Sequence, residues 1–319
     1  HHSGIERYDT LDVLRGIDRA FGRIAAAAAT ADRPYHVVVL SDHGQSQGMT
    51  FLRRYGTSLE DLVRRICQAD VMRSPFATDE GWAQLSAAAT EILARHVGLV
   101  ERVIPSHASG SAIVLGPGHE VGSAKDDTAG SDGIKVLASG SLGLIYLDEE
   151  PGRRTLEEIN ERFPQLISGL VAHRGIGFVL VRSAEKGALA IGADGVHHLD
   201  SGRVEGIDPL LPYGPNAARH VRRTDGFAHV ADIMVNATFD EQTQEIGAFE
   251  ELVGSHGGLG GEQMRPFAIF PAGFAWPDEP VVGAEQLHDV LIGWLHDLGH
   301  DGARAKHLER LRAQGDATA

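Results

Sequence analysis

Val37-Val38-Val39-Leu40-Ser41-Asp42-His43-Gly44 is the stretch on which the fold turns. Four apolar residues in succession, three of them β-branched, read as a buried parallel strand, because a strand covered on both faces needs no polar alternation. The run ends in Ser-Asp-His-Gly. Open α/β sheets collect their ligands at the carboxyl ends of core strands, and Gly44 permits a sharp turn there. Asp42 and His43 offer one hard oxygen and one imidazole nitrogen, a donor pair suited to Zn2+ or a similar divalent ion. The same letters also suit a helix N-cap aspartate beside an unrelated histidine, so the rest of the chain decides between the two.

Upstream, the spacing of Leu11, Val13, Leu14, Ile17, Phe21 and Ile24 predicts an amphipathic helix over 8–29, capped by Asp9 or Thr10. A turn over 30–34 leads into a strand over 35–40. Downstream, a polar loop over 45–55 precedes a helix over 58–71 with Ser58 as its cap. Residues 81–103 read as a second, alanine-rich helix, and 106–133 as a loose Gly/Ser/Asp-rich stretch in which His107 and His119 read as solvated. Then comes a βαββ pattern: strand 141–147, a helix from Thr155 to His173, and strands 176–181, 188–191 and 196–199. His197 and His198 look like a metal pair, but at a period of two they face opposite ways. A further strand over 230–235 is read as returning to the main sheet.

The second informative stretch is Gly254-Ser255-His256-Gly257-Gly258-Leu259-Gly260-Gly261, five glycines around one histidine. Such a backbone can approach a ligand closely or bind an anion through its N–H groups. It lacks the Lys and Ser/Thr of a P-loop, and its plain alternative is a flexible loop. A strand over 265–271 and an amphipathic helix over 284–298 complete the chain.

Bulk properties exclude some functions. A net charge of -15 argues against gripping a nucleic acid through its phosphates, which needs a basic face, yet a small phosphorylated substrate remains compatible, since bound metal reverses the local sign. The one cysteine, Cys67, has no internal disulfide partner and reads as a packing residue in a helix. No run of 18 apolar residues is present.

Strand-Ser-Asp-His-Gly, followed much later by Ser-His-Gly-Gly, Arg-Pro-Phe and a strand, resembles the alkaline phosphatase superfamily, in particular its type I phosphodiesterase/nucleotide pyrophosphatase branch. The resemblance implies that Asp42 and His43 bind one of two metals and that His256 belongs to the other. His1, in His1-His2-Ser3-Gly4, matches an early histidine of the second site, which favours a native His1 over a tag remnant; the helix that follows, with Asp18, also matches. Ser46 and Thr50 follow the Asp-His pair but read as turn or cap residues. The resemblance places the Ser/Thr nucleophile, its neighbouring Asp and the early Asp ligand upstream of this chain, so this fragment alone is expected to be inactive. The chain also resembles the phosphatase-like region of actinobacterial membrane proteins with an N-terminal holin-like segment.

The expected fold is therefore α/β: an alkaline-phosphatase-like α/β/α sandwich with a mostly parallel sheet and an inserted α+β cap. Residues 1–57 and 228–319 form the expected hydrolase core, and 58–227, with loop 106–133, the cap. The expected function is hydrolysis of phosphate esters, a diester or nucleotide pyrophosphate before a monoester, through two divalent ions, zinc by donor type. A sulfatase or phosphonate hydrolase, a phosphoglycerate mutase-like enzyme, and a non-catalytic membrane-linked domain are the alternatives. The chain itself reads as a soluble domain, with any membrane tether upstream.

Overall fold

A computed structural model of the chain describes residues 3–69, 71–73, 107–109, 112–114, 133–147, 152–300 and 302. It divides into two compact units. The larger comprises His1–Gly16 and Asp42–Pro266, the smaller Ile17–Ser41 and Phe267–Ala319. The helix expected over 81–103, most of the loop over 106–133, His119 and His1 lie outside the described residues.

The larger unit is built on one mixed sheet. Its strands are β1 (Val71–Arg73), β2 (Ile134–Ser139), β3 (Leu142–Leu147), β4 (Ile176–Ser183), β5 (Gly187–Ile191), β6 (Gly195–His198), β7 (Arg203–Gly206) and β8 (Ile233–Ala237). They lie in the order β7-β6-β5-β4-β8-β3-β2-β1. Every described pair is antiparallel except β1 with β2. The mixture of helix and strand is as expected; the mostly parallel sheet is not what the described residues form. The reason is the placement of β8. It returns between β3 and β4 and runs against both, so the crossover from β3 to β4 encloses an antiparallel strand.

Side-chain alternation sorts the sheet into two faces. Ile233 stands between Ile145 and Val181, and Met234 between Leu144 and Leu180. The first row joins a core with Val136, Val179, Val235, Leu59, Val63, Leu166 and Leu170. The second face packs Phe178 and Leu180 against Tyr213, Ala217 and Val221, the latter two from the helix Ala217–Asp225. Burial of such side chains contributes roughly 1.5–3 kcal/mol each. On the first face, the helix Leu59–Cys67 starts at Ser58, whose hydroxyl accepts from the Asp61 amide. The helix Leu156–Arg162 starts with a full capping box between Thr155 and Glu158.

Two expectations are corrected. The helix expected to run unbroken from Thr155 to His173 stops at Arg162 and resumes as Leu166–Val171. Pro164 has no N–H for the helical ladder, and its ring pushes the preceding residue out of the α region; Phe163 sits at φ -128, ψ 74. The buried parallel strand over 35–40 reduces to Val39–Leu40, paired antiparallel with Ala268–Ile269 in the smaller unit. Leu40 is 41% and Ile269 62% exposed. An apolar run is buried only where neighbours cover it on both sides, and this pairing supplies one.

In the smaller unit Trp294 of the helix Ala284–Asp297 is buried against Phe270, Phe274 and Trp276, and its indole N–H donates to the Ala275 carbonyl at 2.6 Å. The helix Tyr8–Ala29 has the expected bounds, with its apolar stripe exposed. Among the described residues no helix is long and apolar enough to cross a membrane.

Cys67 is half-buried, and desolvation pushes its thiol up to about 11, against a smaller opposing pull from Arg162. It is a packing residue, as read from its place in a helix. His173 packs against the rings of both Phe51 and Tyr55, and its Nδ1 accepts from the Gly175 amide at 3.1 Å. Burial, then the charges of Arg65 and Arg174, hold its pKa below the ordinary 6.5. The unfolded chain therefore binds the proton first, and stability falls as pH drops below that value. Urea unfolding at about pH 7.5 and about pH 5.5 should show this loss, and His173→Asn, which keeps an acceptor but does not titrate, should reduce it; an unchanged pH difference in the variant would contradict the assignment.

Candidate metal centre

A small four-stranded sheet assembles the site in the larger unit. Ser46–Gln47 pairs antiparallel with Gly254–Ser255, in the register Ser46 with Ser255, and on its other side runs parallel to Glu245–Ile246. Pairing of two-residue strands thus brings the Asp-His segment beside the His-Gly loop, although Ser46 and Gln263 are 217 positions apart in the chain.

The two segments approach too closely for a side chain at Gly44. Its amide donates to the Gln263 carbonyl at 3.0 Å, and a Cβ on Gly44 would lie 1.9 Å from the Glu262 carbonyl oxygen. The glycine expected for a turn is required here by backbone contact. Directly before it, the His43 ring stacks on the His256 ring, with centroids 4.2 Å apart and planes 12° from parallel. The Asp42 carboxylate is 88% exposed, and its Oδ2 lies 3.6 Å from His43 Nε2. Three of the four residues read from the sequence, Asp42, His43 and His256, are therefore neighbours; His1 lies outside the described residues.

The His-Gly loop is tied down at the tip of the β2–β3 hairpin. The Ser141 amide donates to the His256 carbonyl at 2.9 Å, and the Phe249 amide to the Gly140 carbonyl at 2.7 Å. The Gly140 amide is taken by the Glu250 carboxylate. Buried Asn236, at the end of β8, accepts from the Leu259 amide at 2.7 Å and donates to its carbonyl at 3.1 Å. Buried Gln263 accepts from the Ser141 hydroxyl and donates to the Gly260 carbonyl. Ser46 Oγ accepts from the Gln263 amide at 3.0 Å and donates to Gly260. Such a loop is a built element, unlike the flexible loop its composition also permitted. Ser141, Asn236, Glu250 and Gln263 carry no motif in the sequence; the one available signal is Asn236, a polar residue near the end of an apolar strand.

The remaining candidates separate. Thr50 caps the short helix Phe51–Tyr55 by accepting from the Arg53 amide, and Ser46 is buried in its bonds, so both hydroxyls are structural. His197 pairs with Asp208 at 3.0 Å and His198 with Glu205 at 3.1 Å, each with its own carboxylate. His107 opens the short strand His107–Ser109.

The donors present can be tested against divalent ions. His43 Nδ1 lies 2.6 Å from the Gly44 carbonyl oxygen, which only accepts, so Nδ1 carries the proton and Nε2 keeps its lone pair. A carbonyl partner of this kind orients metal-binding imidazoles. Two ligands of one tetrahedral zinc stand about 3.4 Å apart, and the Asp42–His43 separation matches. The stacked rings fit differently. Imidazole lone pairs lie in the ring plane, so near-parallel rings cannot both aim at one ion, but they suit one ion each at the roughly 3.5–4 Å spacing of two-metal sites. Among the described residues no group of three or more His, Cys, Asp or Glu side chains is placed to hold a metal ion. Gln45 Nε2 and Ser255 Oγ, flanking this pair on the two strands, are buried without a hydrogen-bond partner, a pattern associated with functional sites. Asp42, His43 and His256 carry donor types that suit divalent ions.

Comparison with protein-family models, with curated proteins and with solved structures returned no match.

Gly140 sits at φ +56, and a Cβ there would lie 2.0 Å from the His256 carbonyl oxygen. Gly140→Ala should cost at least ~2 kcal/mol of unfolding free energy, from the left-handed backbone and the contact together. Denaturant unfolding measures this; a loss below about 0.5 kcal/mol would show that the hairpin tip does not hold the loop.

Proposed function

We propose that this chain belongs to a metal-dependent phosphate-ester hydrolase, acting on a phosphodiester or nucleotide pyrophosphate in preference to a monoester. The observation that carries the reading is the His43–His256 stack with the Asp42 carboxylate beside His43 Nε2. Asp42 and His43 would hold one ion, and His256, joined by His1, the other; zinc suits the nitrogen and carboxylate donors. Such ions would supply Lewis-acid polarisation of the phosphate and a lowered pKa for an attacking hydroxyl.

The chain's own residues prepare the site. The Gly44 carbonyl holds His43 in the tautomer with a free Nε2. The Ser141 amide fixes the His256 backbone, so its ring is presented without a search through loop conformations. Exposed Asp42 keeps the face toward solvent open to a substrate. Ser46 and Thr50 are committed to structure, so neither is assigned as the nucleophile. The finer fold belongs to the same proposal: the strands of the large mixed sheet within 58–227 are the α+β insertion, joined by β8 from the core segment, and Val39–Leu40 with Ala268–Ile269 belongs to an alkaline-phosphatase-like α/β/α core.

Zinc content after loading and desalting tests the assignment. The wild-type chain should retain zinc, and Asp42→Ala and His256→Ala should each retain about half as much, since each removes a ligand of one of the two ions. Equal retention in all three proteins would mean that other residues bind the metal.

A further inference from the structure

A pocket of ≈ 80 Å³ lies on the second face of the main sheet, against the loop that follows His256. Its floor is Phe178, Leu180 and Met234, and its walls are Val221 of the helix Ala217–Asp225 and Gly258-Leu259 of the loop. The polar groups at its edge are already satisfied. The Asn236 amide serves Leu259 and Ala237, and the Thr224 hydroxyl donates to the His220 carbonyl at 3.1 Å. His220 of the same helix also stands in the lining, but the floor is hydrocarbon and sulfur, so the part of a guest that reaches it is apolar.

Its size narrows the guest. The pocket has roughly half the volume of an engineered cavity of about 150 Å³ that takes up benzene. That suits a chain of about three or four carbons better than an aromatic ring or a long acyl chain. Its position names the site it serves. Gly257, the residue after His256, is itself in the lining, so the pocket wall begins about 3.8 Å from the histidine Cα, a distance such a chain spans.

We infer that this pocket receives a short alkyl substituent of the substrate, carried on a phosphate ester held at His256. The inference rests on the hydrolase reading above and adds the chemical class of one ester arm.

The probes are methylphosphonate and n-butylphosphonate, neither of which can be hydrolysed, added to the full chain with excess Zn2+. NMR follows the His256 imidazole and the Met234 methyl group. Both phosphonates should shift His256, and only n-butylphosphonate should shift Met234, binding about tenfold or more tightly than methylphosphonate through its extra buried methylenes. Val221→Phe should fill the pocket and abolish that advantage, leaving methylphosphonate binding within about twofold. If that variant does not fold, Thr224→Leu narrows the half-buried rim and should reduce the advantage in the same direction. Equal binding of the two phosphonates, with His256 shifted by both, would overturn the pocket inference and leave the hydrolase reading standing. No response of His256 to either would overturn the hydrolase reading itself. A Met234 response to n-butylphosphonate without one at His256 would show a pocket unconnected to the metal residues, which also overturns the inference.

Discussion

The larger unit's site depends on a small set of backbone hydrogen bonds at one hairpin tip. Gly140 and Ser141 turn the chain from β2 into β3, and between them they engage Phe249, Glu250, His256 and Ala237. These groups are at or near the protein interior, where a polar backbone atom without a partner costs about 1–3 kcal/mol. The turn therefore cannot shift without unpairing several groups at once. That is what makes a glycine-rich loop, which has the greatest conformational freedom to lose, a fixed support for His256. The pairing of Ser46–Gln47 with Gly254–Ser255 adds the second constraint, locking the Asp-His segment in register with that loop.

Much of the local structure was legible in the sequence. The helix Tyr8–Ala29 follows from apolar spacing, and Ser58 and Thr155 declare their helices through side chains that accept first-turn amides. The strands of the βαββ region follow from short apolar runs between turn residues. Strand direction was not legible. Val230 to Val235 has the same letters whether it runs with its neighbours or against them, and the choice is made by where the chain re-enters the sheet. The Val37–Leu40 run misled for a related reason: composition reports the capacity to be buried, and only tertiary neighbours decide whether burial happens. Pro164 was legible in principle, since its effect on Phe163 is local chemistry.

The candidate site divides along the same line. Asp42, His43 and His256 stand out because their residue types are those of metal ligands and their neighbours are glycines. Their supports do not stand out. Ser141, Asn236, Glu250 and Gln263 are ordinary polar residues scattered along the chain, and their roles exist only once the hairpin tip, the end of β8 and the loop have met. The pocket under Leu259 is likewise a product of packing: its floor residues read simply as strand alternation.

The central claim is that the stacked histidines serve two ions, one beside Asp42 and His43 and one beside His256. Anomalous diffraction at the zinc edge from zinc-soaked crystals tests it most directly. The account predicts density beside His43 Nε2 and the Asp42 carboxylate, with a second peak beside the His256 ring about 3.5–4 Å away. A single peak shared by both rings, or zinc bound only at other residues, would contradict it.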